Sequence, residues 1–239
     1  MYKINLSYNY DYHTQRNNVL FKNSTCNTTS MVMALLYSKY VLPTPPNTQD
    51  EDALEQFLIT DSRVSDYYKS IDPIEWRNWQ ANLNDPKKCI PPNQYHAVLC
   101  QGTNLWLNRD DVVTFSTNRH MKDIVWNLSR GSCSVIGGVW CNLGHIVCVV
   151  GYISEQDISA LTTKDKIDLT KISTIIIDDP YGDYRTNYTS DKGNDIEVPY
   201  KVFLANTKNL SREDNKWVHL IEPRSQSELI AGKSGHNII

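Results

Sequence analysis

The sequence predicts an α+β fold in which a helical N-terminal part packs on a C-terminal antiparallel sheet. Three observations carry this. Apolar residues up to about position 130 recur at helical spacing, positions 133–221 hold short β-branched runs, and the two patterns do not interleave. The chain has 239 residues. That suits a single domain, 1–239, able to bury roughly 70–75% of its unfolded surface.

The elements read in order as follows. Residues 26–39 form a helix, with Met31, Ala34, Leu35 and Ser38 on one face and Val32 and Leu36 widening the stripe. The stretch Leu42-Pro43-Thr44-Pro45-Pro46 stops it, because proline cannot continue the helical ladder. Thr48-Gln49-Asp50-Glu51 has the pattern of a capping box, followed by Ala53, Leu54, Phe57 and Leu58. Asp72-Pro73-Ile74-Glu75 starts another helix, with proline at its first position and Trp76 and Trp79 three apart. Residues 84–110 read as loop. Residues 118–130 read as a helix carrying Ile124, Val125 and Leu128, with Gly131 as its stop. Strands follow at 133–140, 145–152, 174–177 and 217–221. The polar stretch 155–171 is long for a hairpin and reads as a short helix or an exposed loop. The tail after Glu222 is polar and then apolar, either frayed or docked.

Composition excludes several classes. The net charge is -3, which lacks the concentrated positive face of a nucleic-acid binder. Mean hydropathy is -0.47 and no apolar run approaches the ~20 residues of a membrane span. Six cysteines occur without a CxxC pair, and no histidine pair has HxxxH spacing, so a zinc site is disfavoured and no metal or cofactor is expected. Cys141 and Cys148 lie in strand-like sequence and read as free buried thiols. The N-terminus has no apolar signal-peptide core, so synthesis in a reducing cytoplasm is expected.

Three positions carry possible chemistry. Cys26 opens the first helix, where unpaired N–H groups and the helix dipole favour a thiolate; the plain alternative is a small hydrophobe. His145 stands at the mouth of the strand Ile146–Tyr152, placed to act as a base or as a core histidine bonded to a carbonyl. Asp178 and Asp179 end an apolar strand and are either punctuation or a carboxylate that orients the histidine. Successive strand residues point to opposite faces, so only one of the two can meet it.

The order of these residues and their neighbours is more specific than any one of them. Tyr12-His13-Thr14-Gln15, then Cys26-Asn27-Thr28-Thr29-Ser30-Met31, then His145 with Val149-Val150-Gly151-Tyr152, then Asp179-Pro180-Tyr181-Gly182 resemble the C39-like cysteine peptidases of the papain-like superfamily. The resemblance implies a papain-like fold and hydrolysis of peptide or amide bonds. It implies Cys26 as nucleophile, His145 as general base and acid, Asp179 as orienter and Gln15 as an oxyanion-hole donor. Gln15 lies farther before Cys26 than in many such enzymes. A loop inserted at 17–25 accounts for this, or Asn23 is the donor instead. The implied substrate is a protein, a peptide or a peptidoglycan stem. The same triad serves a phage lysin or tail-associated wall hydrolase, for which exposed Trp76 and Trp79 would stack on sugars. A scaffold without catalysis, acting as a binding module, is the third reading.

Overall fold

The computed structural model describes residues 1–21, 23–83, 85, 88–140, 143–207 and 215–225. Cys141 and the tail from residue 226 lie outside them. Seven strands form one antiparallel sheet: β1 (Tyr2–Asn5), β2 (Val113–His120), β3 (Ser134–Trp140), β4 (Leu143–Ser154), β5 (Ile172–Asp178), β6 (Ile196–Pro199) and β7 (Asn215–Ile221). Their order is β2-β7-β3-β4-β5-β6, and β1 pairs with the far end of β4. Alternation along the strands splits the core in two. Cys133, Val135, Cys148, Val150 and Ile176 pack with the N-terminal helices. Ile136, Val147, Val149, Ile175 and Val218 pack with the later helices on the other face.

The helices are α1 (Cys26–Tyr37), α2 (Asp50–Thr60), α3 (Ser62–Ile71), α4 (Pro73–Ala81), α5 (His96–Trp106), α6 (Met121–Ser129) and α7 (Tyr200–Asn206). Helix α1 lies along β4 and is buried on almost every side, as its nearly continuous apolar sequence requires. Asp72 caps α4 through the Ile74 and Glu75 N–H groups. None of these helices is long and apolar enough to cross a membrane.

Several sequence expectations are corrected. The capping box at Thr48–Glu51 does not form: α2 follows Gln49, which makes no side-chain cap. Its acids are drawn to the N-terminal strap instead. Glu51 meets His13 at 3.1 Å, and Asp52 accepts from the Val19 and Leu20 N–H groups. Residues 118–120 belong to strand β2, and helix α6 starts only at Met121 behind a capping box made by His120 and Asp123. The stretch 84–110 contains α5. Gly102 hid that helix by lowering its propensity, yet Gly102 is what lets α2 approach: a Cβ there would lie 2.2 Å from Leu58 Cδ2. The stretch 155–171 carries two 3-10 turns, Lys164–Lys166 and Leu169–Lys171.

One buried charge site has a measurable cost. Glu55 of α2 is fully buried, and neither carboxyl oxygen has a hydrogen-bond partner of good geometry among the described residues. Burial pushes its pKa up to about 8, Thr28 and Asn93 offset this in part, and Asp52 adds to it. Between the ordinary value of 4.5 and about 8 the folded chain holds a proton that the unfolded chain has released. Stability therefore falls as pH rises through that window. Glu55→Gln mimics the protonated acid and can donate to the unpaired Asn93 Oδ1. Thermal unfolding should show the variant and wild type alike near pH 5. At pH 8 the variant should be more stable by about 3 kcal/mol, roughly 6–12 °C in Tm.

Candidate active site

Helix α1 presents Cys26 as its first residue, half-buried at the floor of a cleft of about 540 Å³. The first turn is braced from outside. Asn18 Nδ2 donates to Thr25 Oγ1 at 2.9 Å and to Thr29 Oγ1 at 3.0 Å. Asn93 Nδ2 donates to the Ser24 carbonyl at 3.0 Å, and Asn27 donates to the Asn93 carbonyl. The Thr25 side chain does not cap the helix.

His145 lies near the start of β4, paired with Gly138 of β3. Its Nε2 is 2.7 Å from Asp179 Oδ1, and the Cys26 thiol lines the same cleft as the ring, near enough to act on its protonation. Burial opposes the charged imidazole. The bonds to Asp179 and Cys26, and the negative charge on both partners, outweigh it and push the His145 pKa up to about 10.

Asp179, one residue past β5, is fully buried and accepts two further bonds. The Tyr181 N–H reaches Oδ1 at 3.0 Å and the Tyr188 hydroxyl reaches Oδ2 at 3.3 Å. Asp178 faces the other way, accepting from the Tyr37 hydroxyl at 2.9 Å and the Asp195 N–H at 2.7 Å. Burial raises its pKa to about 7. The two carboxylates thus part company at the strand end, and the turn after β5 delivers Asp179, not Asp178, to the histidine.

Gln15 is 2% exposed and lies against the same turn. Its backbone N–H donates to the Pro180 carbonyl at 2.9 Å, and Thr14 Oγ1 donates to that oxygen at 3.0 Å. Next to it, Arg16 donates to the Tyr181 carbonyl at 2.7 Å and lies over the Tyr181 ring. Neither Gln15 nor Asn23 lines the cleft, and Asn23 is exposed. The loop between Gln15 and Cys26 is held down by the Asp52 and Asn18 bonds already described.

Four residues around this site have no role in the sequence reading, although Tyr12 and Tyr181 belong to its motif blocks. Tyr12, Tyr181, Tyr188 and Gly193 all fix Asp179, and for the three tyrosines the composition holds a general hint, 14 tyrosines against 4 phenylalanines. The Tyr12 hydroxyl donates to the Asp179 carbonyl, and the Asp179 N–H donates to the Gly193 carbonyl at 2.8 Å. A Cβ on Gly193 would sit 2.0 Å from the Asp179 backbone carbonyl oxygen and 2.6 Å from the Tyr12 hydroxyl. Gly193→Ala must therefore displace Asp179. It is expected to slow any reaction that uses the His145–Asp179 pair by at least ~10²-fold, the scale of an ångström-level misplacement of a reacting group. Unchanged kinetics would show that the turn yields without moving the carboxylate.

Other side chains take structural places. Trp79 is buried against Tyr68, and the Trp76 indole N–H is bonded to Ser65 Oγ at 2.9 Å, so this pair does not form an exposed sugar-stacking platform. Cys26, Cys89, Cys100, Cys133 and Cys148 are free thiols. Among the described residues no group of three or more His, Cys, Asp or Glu side chains is arranged to hold a metal ion.

Comparison with known proteins agrees with this arrangement of elements. Residues 7–205 match the family described as the Peptidase_C39 like family. No curated protein matches the chain. A crystal structure described as that of a C39-like peptidase from Bacillus anthracis superposes with a TM-score of 0.51 at 16% identity. The match covers 95% of this chain and 100% of that one. At that identity the likeness concerns the fold, whereas the family match spans most of the sequence: the chain belongs to the Peptidase_C39 like family.

Proposed function

We propose that this chain is a cysteine peptidase that cleaves peptide bonds through Cys26, His145 and Asp179. The observation that carries the reading is one imidazole that is bonded to a buried carboxylate and lines the same cleft as a thiol at a helix start. The ring is held protonated by its two partners, which is the state that leaves sulfur as thiolate. The thiolate attacks the scissile carbonyl carbon, and the carbonyl oxygen becomes an oxyanion. The Cys26 backbone N–H and the Gln15 carboxamide N–H stabilise that charge. Gln15 is assigned this role on the family resemblance, and its backbone bond to the Pro180 carbonyl anchors it beside the Asp179 turn. His145 then gives its proton to the leaving amine. The imidazole next takes a proton from water, whose oxygen attacks the thioester carbonyl carbon; the C–S bond breaks, releasing the acid and restoring the thiolate–imidazolium pair. Asp179 fixes the ring orientation and stabilises the imidazolium.

Incubation with a reduced, carboxymethylated unfolded protein tests the proposal, with new peptide ends read by mass spectrometry. Cleavage that disappears after alkylation of Cys26 is the expected result. Cleavage that survives full alkylation of Cys26, or no cleavage of this substrate or of a random peptide library, would contradict it.

A further inference from the structure

His96 and Trp217 line the same cleft as Cys26 and His145. His96 opens α5, while Trp217 and His219 stand two apart on β7 and so share a face. Phe115 of β2 is the direct cross-strand partner of His219. The His96 ring stacks on Phe115 with centroids 5.1 Å apart and planes 12° apart, and meets Trp217 edge-on at 5.1 Å. Behind it, His219 is 1% exposed. His96 Nδ1 lies 3.0 Å from His219 Nε2. The ring is therefore packed against two aromatic side chains and engaged at one nitrogen. Its Nε2 has no partner among the described residues and is not among the atoms sealed from solvent.

The protons of this pair can be placed. Burial pushes His96 down to about 4 and His219 well below its ordinary value, so both rings are neutral near pH 7. One proton lies in the N···N bond. His219 Nδ1 is sealed and has no hydrogen-bond partner. If His96 were the donor, His219 would carry its second-site proton on Nδ1, an orphaned buried N–H. If His219 Nε2 is the donor, Nδ1 keeps only an unused lone pair. Buried N–H groups without acceptors are the rarer defect. That choice leaves His96 with its proton on Nε2, facing the cleft.

We propose that His96 is a substrate-binding residue whose Nε2–H donates to an uncharged oxygen of the substrate, a peptide carbonyl or side-chain carboxamide, with His219 fixing the tautomer. The proposal rests on the peptidase reading and names the chemistry that its cleft accepts. Trp217, 48% exposed, adds an apolar wall beside the donor. A neutral donor gives no charge preference for carboxylates. It also rejects ammonium and guanidinium groups, which have no acceptor to offer.

Two measurements test it. Long-range ¹H–¹⁵N spectra of protein labelled at histidine nitrogens should show His96 protonated at Nε2 from pH 6 to 8; a proton on Nδ1 would overturn the proposal. In kinetics with a random peptide library, His96→Phe should lose at least ~10-fold in kcat/KM, mainly through KM, and His96→Gln, which restores an N–H donor, should recover most of it. Wild-type KM in His96→Phe would overturn it. Iodoacetamide labelling of Cys26 should be equal in all three proteins. Slow labelling in the wild type would locate the failure in the peptidase reading rather than in His96.

Discussion

Cys26→Ala is expected to reduce peptide cleavage by ~10⁴-fold or more, the scale on which loss of a nucleophile acts. The fold should survive. Cys26 is half-buried at the cleft floor, and the first turn of α1 is braced by Asn18 and Asn93 through the backbone and through Thr25, Asn27 and Thr29. The midpoint of thermal unfolding should move by no more than roughly 4 °C, on the order of 1 kcal/mol. Cleavage at near wild-type rate by a well-folded Cys26→Ala chain would remove the nucleophile from the proposal.

Asp179→Ala is the second large effect. It is expected to lower kcat by ~10³–10⁴-fold, because the ring loses both its orientation and the charge that stabilises the imidazolium. The pH profile gives the more specific readout. His145 must be protonated to release the amine, so the rate falls as pH rises through its pKa, which stands at about 10 in the wild type. Without Asp179, burial acts against a smaller favourable field, and the alkaline limb moves to lower pH. Asp179→Asn keeps an acceptor for the ring N–H without the charge, and should fall between the two. Stability has the same sign. His145 contributes most below its ordinary value of 6.5, and the contribution is lost as pH rises toward about 10. Unfolding midpoints of wild type and Asp179→Ala should converge over that window. An alkaline limb unmoved in Asp179→Ala would contradict the assigned coupling.

The parts of this molecule legible in the sequence are those whose pattern is local. Helix α1 and strands β3, β4, β5 and β7 announce themselves by continuous apolar or β-branched runs, because they are buried and need no polar face. Strand β2 did not, since it carries Thr114, Ser116 and Thr117 and draws its partner from β7, about a hundred residues away. Helix α5 was masked by Gly102, whose value lies in packing against Leu58. In the site, Cys26, His145 and the Asp178–Asp179 pair were readable as residue types at element ends. Strand parity says that one aspartate faces the histidine; only the turn through Pro180 and the bonds from Tyr181 and Tyr188 decide which. The supports are the least legible. Tyr12 reaches Asp179 across 167 positions, and His96 gains meaning only from Phe115, Trp217 and His219 on strands that fold against it.

The most direct test of the relay is the alkylation rate of each thiol by iodoacetamide at pH 7, read residue by residue in wild type and in His145→Gln. Burial raises the pKa of Cys89, and that of Cys100 to about 11, so these should react slowly. Cys26 should react at least ~10²-fold faster than either, and His145→Gln should remove most of that advantage. Equal rates for Cys26 and Cys89, or a fast Cys26 indifferent to His145, would contradict the account.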